Sequence, residues 1–339
     1  MAIRSFILSL ALLATGCATT SLPTQEATLG TARPSAELLP LIDQPGPIEV
    51  ESIVSADWEI NRGGLINLGH PTAVAAGLED GPEPIQIFFH AIRHPEFGTF
   101  IIDSGIERAF RDQPEQAALR GLAASASNAD ALVVRQPLGD WLAAQSTPLS
   151  GVFLTHLHLD HVLGLPDVPK GTKVFVGPGD AQSRSAMNLF VRGVFNEALR
   201  NVEALDEWSF DAAAPGPFAG AVDVFGDASF WALSAPGHTP GSTAYLARTT
   251  QGPVLFVGDA SHTEWGWEHD VEPGTFSADR PRSVESLKAL RKLVADHPAI
   301  RVRLGHQHHP ATADLKARPD RAEGASDLGD ASADPGTAP

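Results

Sequence analysis

The amino-acid sequence predicts an α/β fold, a four-layer αβ/βα sandwich in which two mixed β-sheets pack face to face with helices outside. Three observations carry that expectation. Short β-rich runs begin abruptly at Pro47 and continue to Leu304. They fall into two halves, and each half finishes in stretches of helical spacing that can cover one sheet. No repeat of roughly 20–50 residues marks a solenoid or propeller.

The chain opens on a targeting segment that stands outside the fold. Arg4 supplies a positive n-region, and residues 7–13 form an apolar stretch too short to span a bilayer. Ala14-Thr15-Gly16-Cys17 then places small residues before the only cysteine, in the manner of a lipoprotein signal. Residues 1–16 are accordingly expected to be removed and Cys17 to be lipidated, leaving an exported, membrane-anchored protein on the outer-membrane or periplasmic side. A lone cysteine forms no internal disulfide, so the fold must rest on its core and on any metal it binds. Residues 17–46, rich in Thr, Pro and Ala, read as a flexible tether. Residues 311–339 read as a disordered acidic tail with little to bury, leaving 47–310 as one folded domain.

Within that domain, residues 48–60 and 85–89 alternate as strands. Residues 99–102 read as a buried strand that ends in the turn Asp103-Ser104-Gly105. A helix is expected over 130–144, and a strand over 151–154 runs straight into Thr155-His156-Leu157-His158-Leu159-Asp160-His161. The second half offers strands at 172–176, 221–225, 230–233, 242–247 and 254–257, with helical spacing over 180–205. Met187, Phe190, Val194 and Phe195 on that helix read as core or as a lid, with core packing preferred. The last helix is marked by the stripe Val284, Leu287, Leu290, Leu293 and Val294, with Pro281 at its start and Pro298 beyond its end. A closing strand follows at 300–304.

The 339 residues are 43% hydrophobic and 19% charged, ordinary for a globular enzyme, and the net charge of −17 argues against nucleic acid as a partner. The chemistry concentrates in the histidine run. His156, His158, Asp160 and His161 put four metal-binding side chains within six residues, just past a strand end, where imidazoles and carboxylates can converge on divalent ions.

His-x-His-x-Asp-His after a hydrophobic strand and a threonine resembles the signature of the metallo-β-lactamase superfamily. The remaining elements of that pattern occur in order: Asp103 after an early strand, His238 in Gly237-His238-Thr239, Asp259 in Gly258-Asp259-Ala260 and His306 in Leu304-Gly305-His306. The resemblance spans residues 48–310. It implies a first zinc ion on His156, His158 and His238, a second on Asp160, His161 and His306, and Asp259 between the two. Asp103 would hold the motif loop without touching metal. A hydroxide between two ions would be the nucleophile, with Asp160 taking or relaying its proton.

Asp259 sets the chain apart from the lactamases, and Ser242 stands where glyoxalase-II-like thioesterases carry a further histidine. The pattern looks most like the N-acyl-homoserine-lactone lactonases, which implies a small neutral lactone or ester as substrate. A phosphotriesterase or arylesterase is the alternative, followed by a thioesterase or a non-catalytic zinc-binding protein. One departure stands out. Where those lactonases place a tyrosine that contacts the substrate, this chain has His262, which can donate a hydrogen bond or act as a general acid. Trp265 and Trp267 would point the same way in an extended segment, and either wall an apolar substrate pocket or pack under a loop.

Overall fold

The structure, a computed structural model, describes residues 16–211 and 213–307. Apart from Gly16, the expected export signal lies outside the described residues, as do the acidic tail and His308 and His309. An eight-stranded sheet runs in the order Thr24–Glu26, Leu205–Glu207, Lys173–Val176, Leu149–Phe153, Gly98–Ile102, Pro82–His94, Glu49–Asn61 and Val133–Val134. A six-stranded sheet runs Arg301–Arg303, Gly252–Phe256, Thr243–Thr249, Phe230–Ser234, Ala221–Asp223 and Thr31–Arg33. Each mixes parallel and antiparallel neighbours.

Aromatic side chains fill the space between the sheets. Phe153 lies at their centre, stacked on Phe100 at 4.9 Å and within 5.3 Å of Phe175 and Phe230. A polar pair within this layer is satisfied, since Trp208 Nε1 donates to Tyr245 Oη, which in turn donates to the Leu154 carbonyl. The outer face of the first sheet packs on the helices of residues 62–168 and on Asn188–Ala198. Leu287, Leu290 and Leu293 of the final helix, Arg280–Asp296, cover the other. Helices therefore lie outside both sheets, in the four-layer order expected.

Three local expectations are corrected. Residues 17–46 do not form a tether. Thr24–Glu26 adds in parallel to the edge strand Leu205–Glu207, Thr31–Arg33 pairs with the edge of the other sheet, and Leu38 and Ile42 are fully buried. A composition rich in Thr and Pro hid two short strands, which extend the two sheets by one strand each, and an apolar i, i+4 pair. The helix expected over 130–144 is confined to Leu138–Ala143, because Pro137 forces extended backbone immediately before it. The helix expected over 180–205 shrinks to Asn188–Ala198. It buries Val194 and Phe195 but leaves Met187 and Phe190 exposed.

Candidate metal centre

The side chains singled out by the sequence lie at strand ends on one edge of the sandwich. Asp103 follows Gly98–Ile102, the histidine run follows Leu149–Phe153, and His238 lies in the turn beyond Phe230–Ser234. Asp259 and His306 follow Gly252–Phe256 and Arg301–Arg303. Sheet geometry alone thus brings together residues up to about 200 positions apart.

Asp103 occupies a left-handed backbone position, φ 56°, which aspartate tolerates better than most residues. Its carboxylate accepts the Thr155 N–H at 2.8 Å, the Thr155 hydroxyl at 2.9 Å and His161 Nδ1 at 2.8 Å. It therefore fixes both ends of the motif loop, and it belongs to none of the residue groups close enough to share an ion.

Those groups are His156, His158, His238 and Asp259; Asp160, His161 and His306; and Asp259, His262 and His306. In the first, His238 Nε2 lies 3.1 Å from His156 Nε2 and 2.9 Å from His158 Nδ1. In the second, His306 Nε2 stands 3.3 Å from Asp160 Oδ2. Asp259 Oδ2 joins them, with the Nε2 atoms of His156, His161, His238 and His306 at 3.5, 3.4, 3.3 and 3.3 Å. His161 Nε2 and Asp259 Oδ1 are buried without a hydrogen-bond partner. Ring nitrogens converging on one carboxylate, with buried polar atoms unsatisfied, form a donor set that fits divalent ions.

The electrostatics agree. Burial, reinforced by the neighbouring rings, holds His156 and His238 well below their ordinary values, and burial pushes His158 down to about 4. These rings thus keep free the lone pairs that ligation requires. Burial opposes charge on His161 and His306 as well, but carboxylates outweigh it: Asp103 and Asp259 raise His161, and Asp259 raises His306. Asp259 is likewise held well below the carboxylate range, its burial overcome by His262 and His306 first.

Two glycines make room at the centre, one for Asp259 and one for Thr155. A Cβ on Gly305 would stand 2.1 Å from Asp259 Oδ1. One on Gly258, at φ +52°, would stand 2.8 Å from the Thr155 Cβ.

Sequence reasoning missed Asp180. Fully buried, it accepts the Leu157 N–H at 3.0 Å and the Gly241 N–H at 2.6 Å, so one carboxylate ties the His-x-His loop to the His238 turn. Burial lifts its pKa to about 6. The available signal was an aspartate directly after Gly177-Pro178-Gly179, where a strand ends and no helix has yet begun.

The tryptophans are a correction. Residues Glu264–Glu268 are helical, so positions two apart face different ways. Trp267 is buried beneath the final helix with the Arg291 guanidinium 5.4 Å from its ring, and does not wall a pocket. Trp265 is half-buried and stacked on His269. His262 is 2% exposed, with Nδ1 3.0 Å from the Leu65 carbonyl and Nε2 3.1 Å from Asp259 Oδ2. His94 and His297 pair with Asp227 and Asp43, and His70 caps a short helix, all away from the centre.

Comparison with known proteins agrees with this geometry. The chain is 34% identical over 139 residues to cytochrome P450 monooxygenase mpaDE of Penicillium roqueforti, covering 36% of this chain but 15% of that protein. It is 30% identical over 170 residues to N-acyl homoserine lactonase AttM of Agrobacterium fabrum, covering 50% of this chain and 62% of the lactonase. The chain thus spans less than two thirds of either relative. In fold it is similar to AidC, a dizinc quorum-quenching lactonase solved with a product, at TM-score 0.53 and 15% identity over 82% of this chain and 91% of that one. The sequence pattern of the metallo-beta-lactamase superfamily matches residues 84–306, more than half of the chain, and covers every ligand position described above. The chain belongs to the metallo-β-lactamase superfamily.

Proposed function

We propose that this hydrolase opens a lactone or cleaves a small ester at a centre holding two zinc ions. The observation that carries the reading is Asp259, whose single Oδ2 lies within 3.5 Å of ring nitrogens from both ligand groups. Two divalent ions held by these groups would supply polarisation of a substrate carbonyl and activation of water near neutral pH. The protein's own part is to hold the ligands rigidly and to move a proton. Asp160, half-buried beside His306, is the carboxylate with enough solvent access to accept that proton and release it. AttM and AidC, both named as lactonases, favour a lactone over the alternatives.

The test is zinc analysis of purified protein, followed by turnover of acyl-homoserine lactones, aryl esters and a phosphotriester. Two ions per chain and preference for lactones are expected. Fewer than two ions after reconstitution would remove the two-metal reading. Inert lactones beside a hydrolysed phosphotriester would replace the substrate class.

We also propose that Cys17 carries a lipid anchor. The Cys17 main chain pairs with Ser185, two residues before Met187, and Met187, Leu189 and Phe190 are 64, 63 and 78% exposed. A lipid at that point would set this apolar surface against the bilayer. A palmitate analogue should label the wild type and not Cys17→Ser; a protein left unlabelled and freely soluble contradicts the anchor. Among the described residues no helix is long and apolar enough to cross a membrane.

A further inference from the structure

We infer that His262 is itself a metal ligand, an additional imidazole on the ion shared by His306 and Asp259. This rests on the two-metal reading above. The Leu65 carbonyl can only accept, so His262 Nδ1 carries the hydrogen of their 3.0 Å bond. That leaves Nε2 facing Asp259 Oδ2 at 3.1 Å, and with Nδ1 committed to Leu65 it is the nitrogen through which the ring would meet a cation. Either a proton or a metal ion must lie between the two atoms at that distance, and a bound ion would take the proton's place.

The same arrangement occurs at two neighbours within the ligand groups. His306 gives Nδ1 to the Gln86 carbonyl and turns Nε2 towards Asp259. His161 gives Nδ1 to Asp103 and does likewise. A partner that fixes one ring nitrogen so that the other faces the ion is the usual way proteins orient metal-binding histidines.

The rest of the geometry places His262 within the same centre. Its ring stacks on His306 at 5.6 Å and 11°, and stands edge-on to His238 at 4.9 Å. Its main-chain carbonyl accepts the His306 N–H at 3.0 Å, which laces the two strand ends together. Asp259, His262 and His306 offer donor atoms within 4.8 Å of one another. With His262 added, each ion would have three imidazoles: His156, His158 and His238 on one side, His161, His262 and His306 on the other.

The experiment is a competitive titration of chelator-stripped, full-length protein with Zn²⁺, repeated with Co²⁺ to read the visible spectrum. Wild type, His262→Ala and His262→Asn are compared. Asparagine keeps a donor for the Leu65 carbonyl but loses the nitrogen on the far side, so it separates a structural role from ligation. The expected result is a first equivalent unchanged and a second about tenfold weaker or more in both variants, with an altered cobalt spectrum at that second equivalent. If His262→Asn binds both equivalents as tightly as wild type, with the same spectrum, His262 is no ligand. If wild type itself binds only one equivalent, the two-metal reading fails, and this inference with it.

Discussion

The histidine run and the later strand ends deliver their ligands by different means. The loop of residues 155–161 is held by side chains: Asp103 clamps Thr155 and His161, and Asp180 holds the Leu157 N–H. His306 and His262 are held by main chain, through the carbonyls of Gln86 and Leu65, and Asp259 sits in space left by Gly305. A carbonyl is supplied by any residue with the same backbone path, whereas a buried carboxylate has no substitute. The motif loop should therefore be fragile to replacement of its supports, and the strand ends tolerant except where a side chain would intrude.

That contrast can be broken at several points. The largest effect is expected at Gly305→Ala, whose Cβ would displace Asp259. Metal analysis should show loss of bound zinc and turnover should fall by about a hundredfold or more, and retention of both would refute the role given to this glycine. Next comes Asp103→Ala, which strands the Thr155 N–H and His161 Nδ1 in a buried site. Unfolding should show a loss of about 3 kcal/mol, and competitive titration a drop in zinc affinity of at least about tenfold.

Asp180→Asn keeps one acceptor but turns an amide donor towards a backbone N–H, costing about 1–3 kcal/mol. It carries a pH signature as well. Burial holds the Asp180 proton up to about pH 6, above the ordinary 3.8. Between those values the folded, metal-free chain keeps a proton that the unfolded chain releases. This carboxyl therefore favours the fold most at about pH 4 or below, and that contribution is lost as pH rises through about 6. The stability difference between variant and wild type should change over this window, and a flat difference would mean the burial is overstated.

The smallest effect is expected at Gln86→Ala. The side chain loses its 2.9 Å bond to Asp57 but the carbonyl that orients His306 stays, so stability should shift by no more than about 1 kcal/mol with zinc affinity unchanged. A large loss there would erase the distinction between the two modes of support.

Legibility in the sequence followed the same division. His156 to His161 could be read because a strand and four ligand types are contiguous, and Asp103, His238, Asp259 and His306 because each follows a strand or lies in a marked turn. The Leu65 and Gln86 carbonyls could not be read, since every residue has one and only the fold decides which faces a histidine. Asp180 went unread because a single aspartate beside glycines is ordinary turn chemistry. The tryptophan pair was misplaced because a five-residue helix is too short to show periodicity. Residues 17–46 were misread because strands of three residues hold no alternation to see. Leu38→Ala tests that last correction, and a cost of about 2–5 kcal/mol is expected where a tether would show none.

The docked N-terminal segment also sets an order of assembly. Gln25 meets Asp206 across 181 positions, and the Ser35 hydroxyl meets the Phe218 carbonyl across 183. Residues near the start of the chain thus wait for partners made much later, and closing these contacts carries a loop-entropy cost. A pull on the N-terminus would open the same contacts first. The strands that complete the sandwich are therefore also its mechanical fuse, and they would peel away before load reached the metal-binding strand ends.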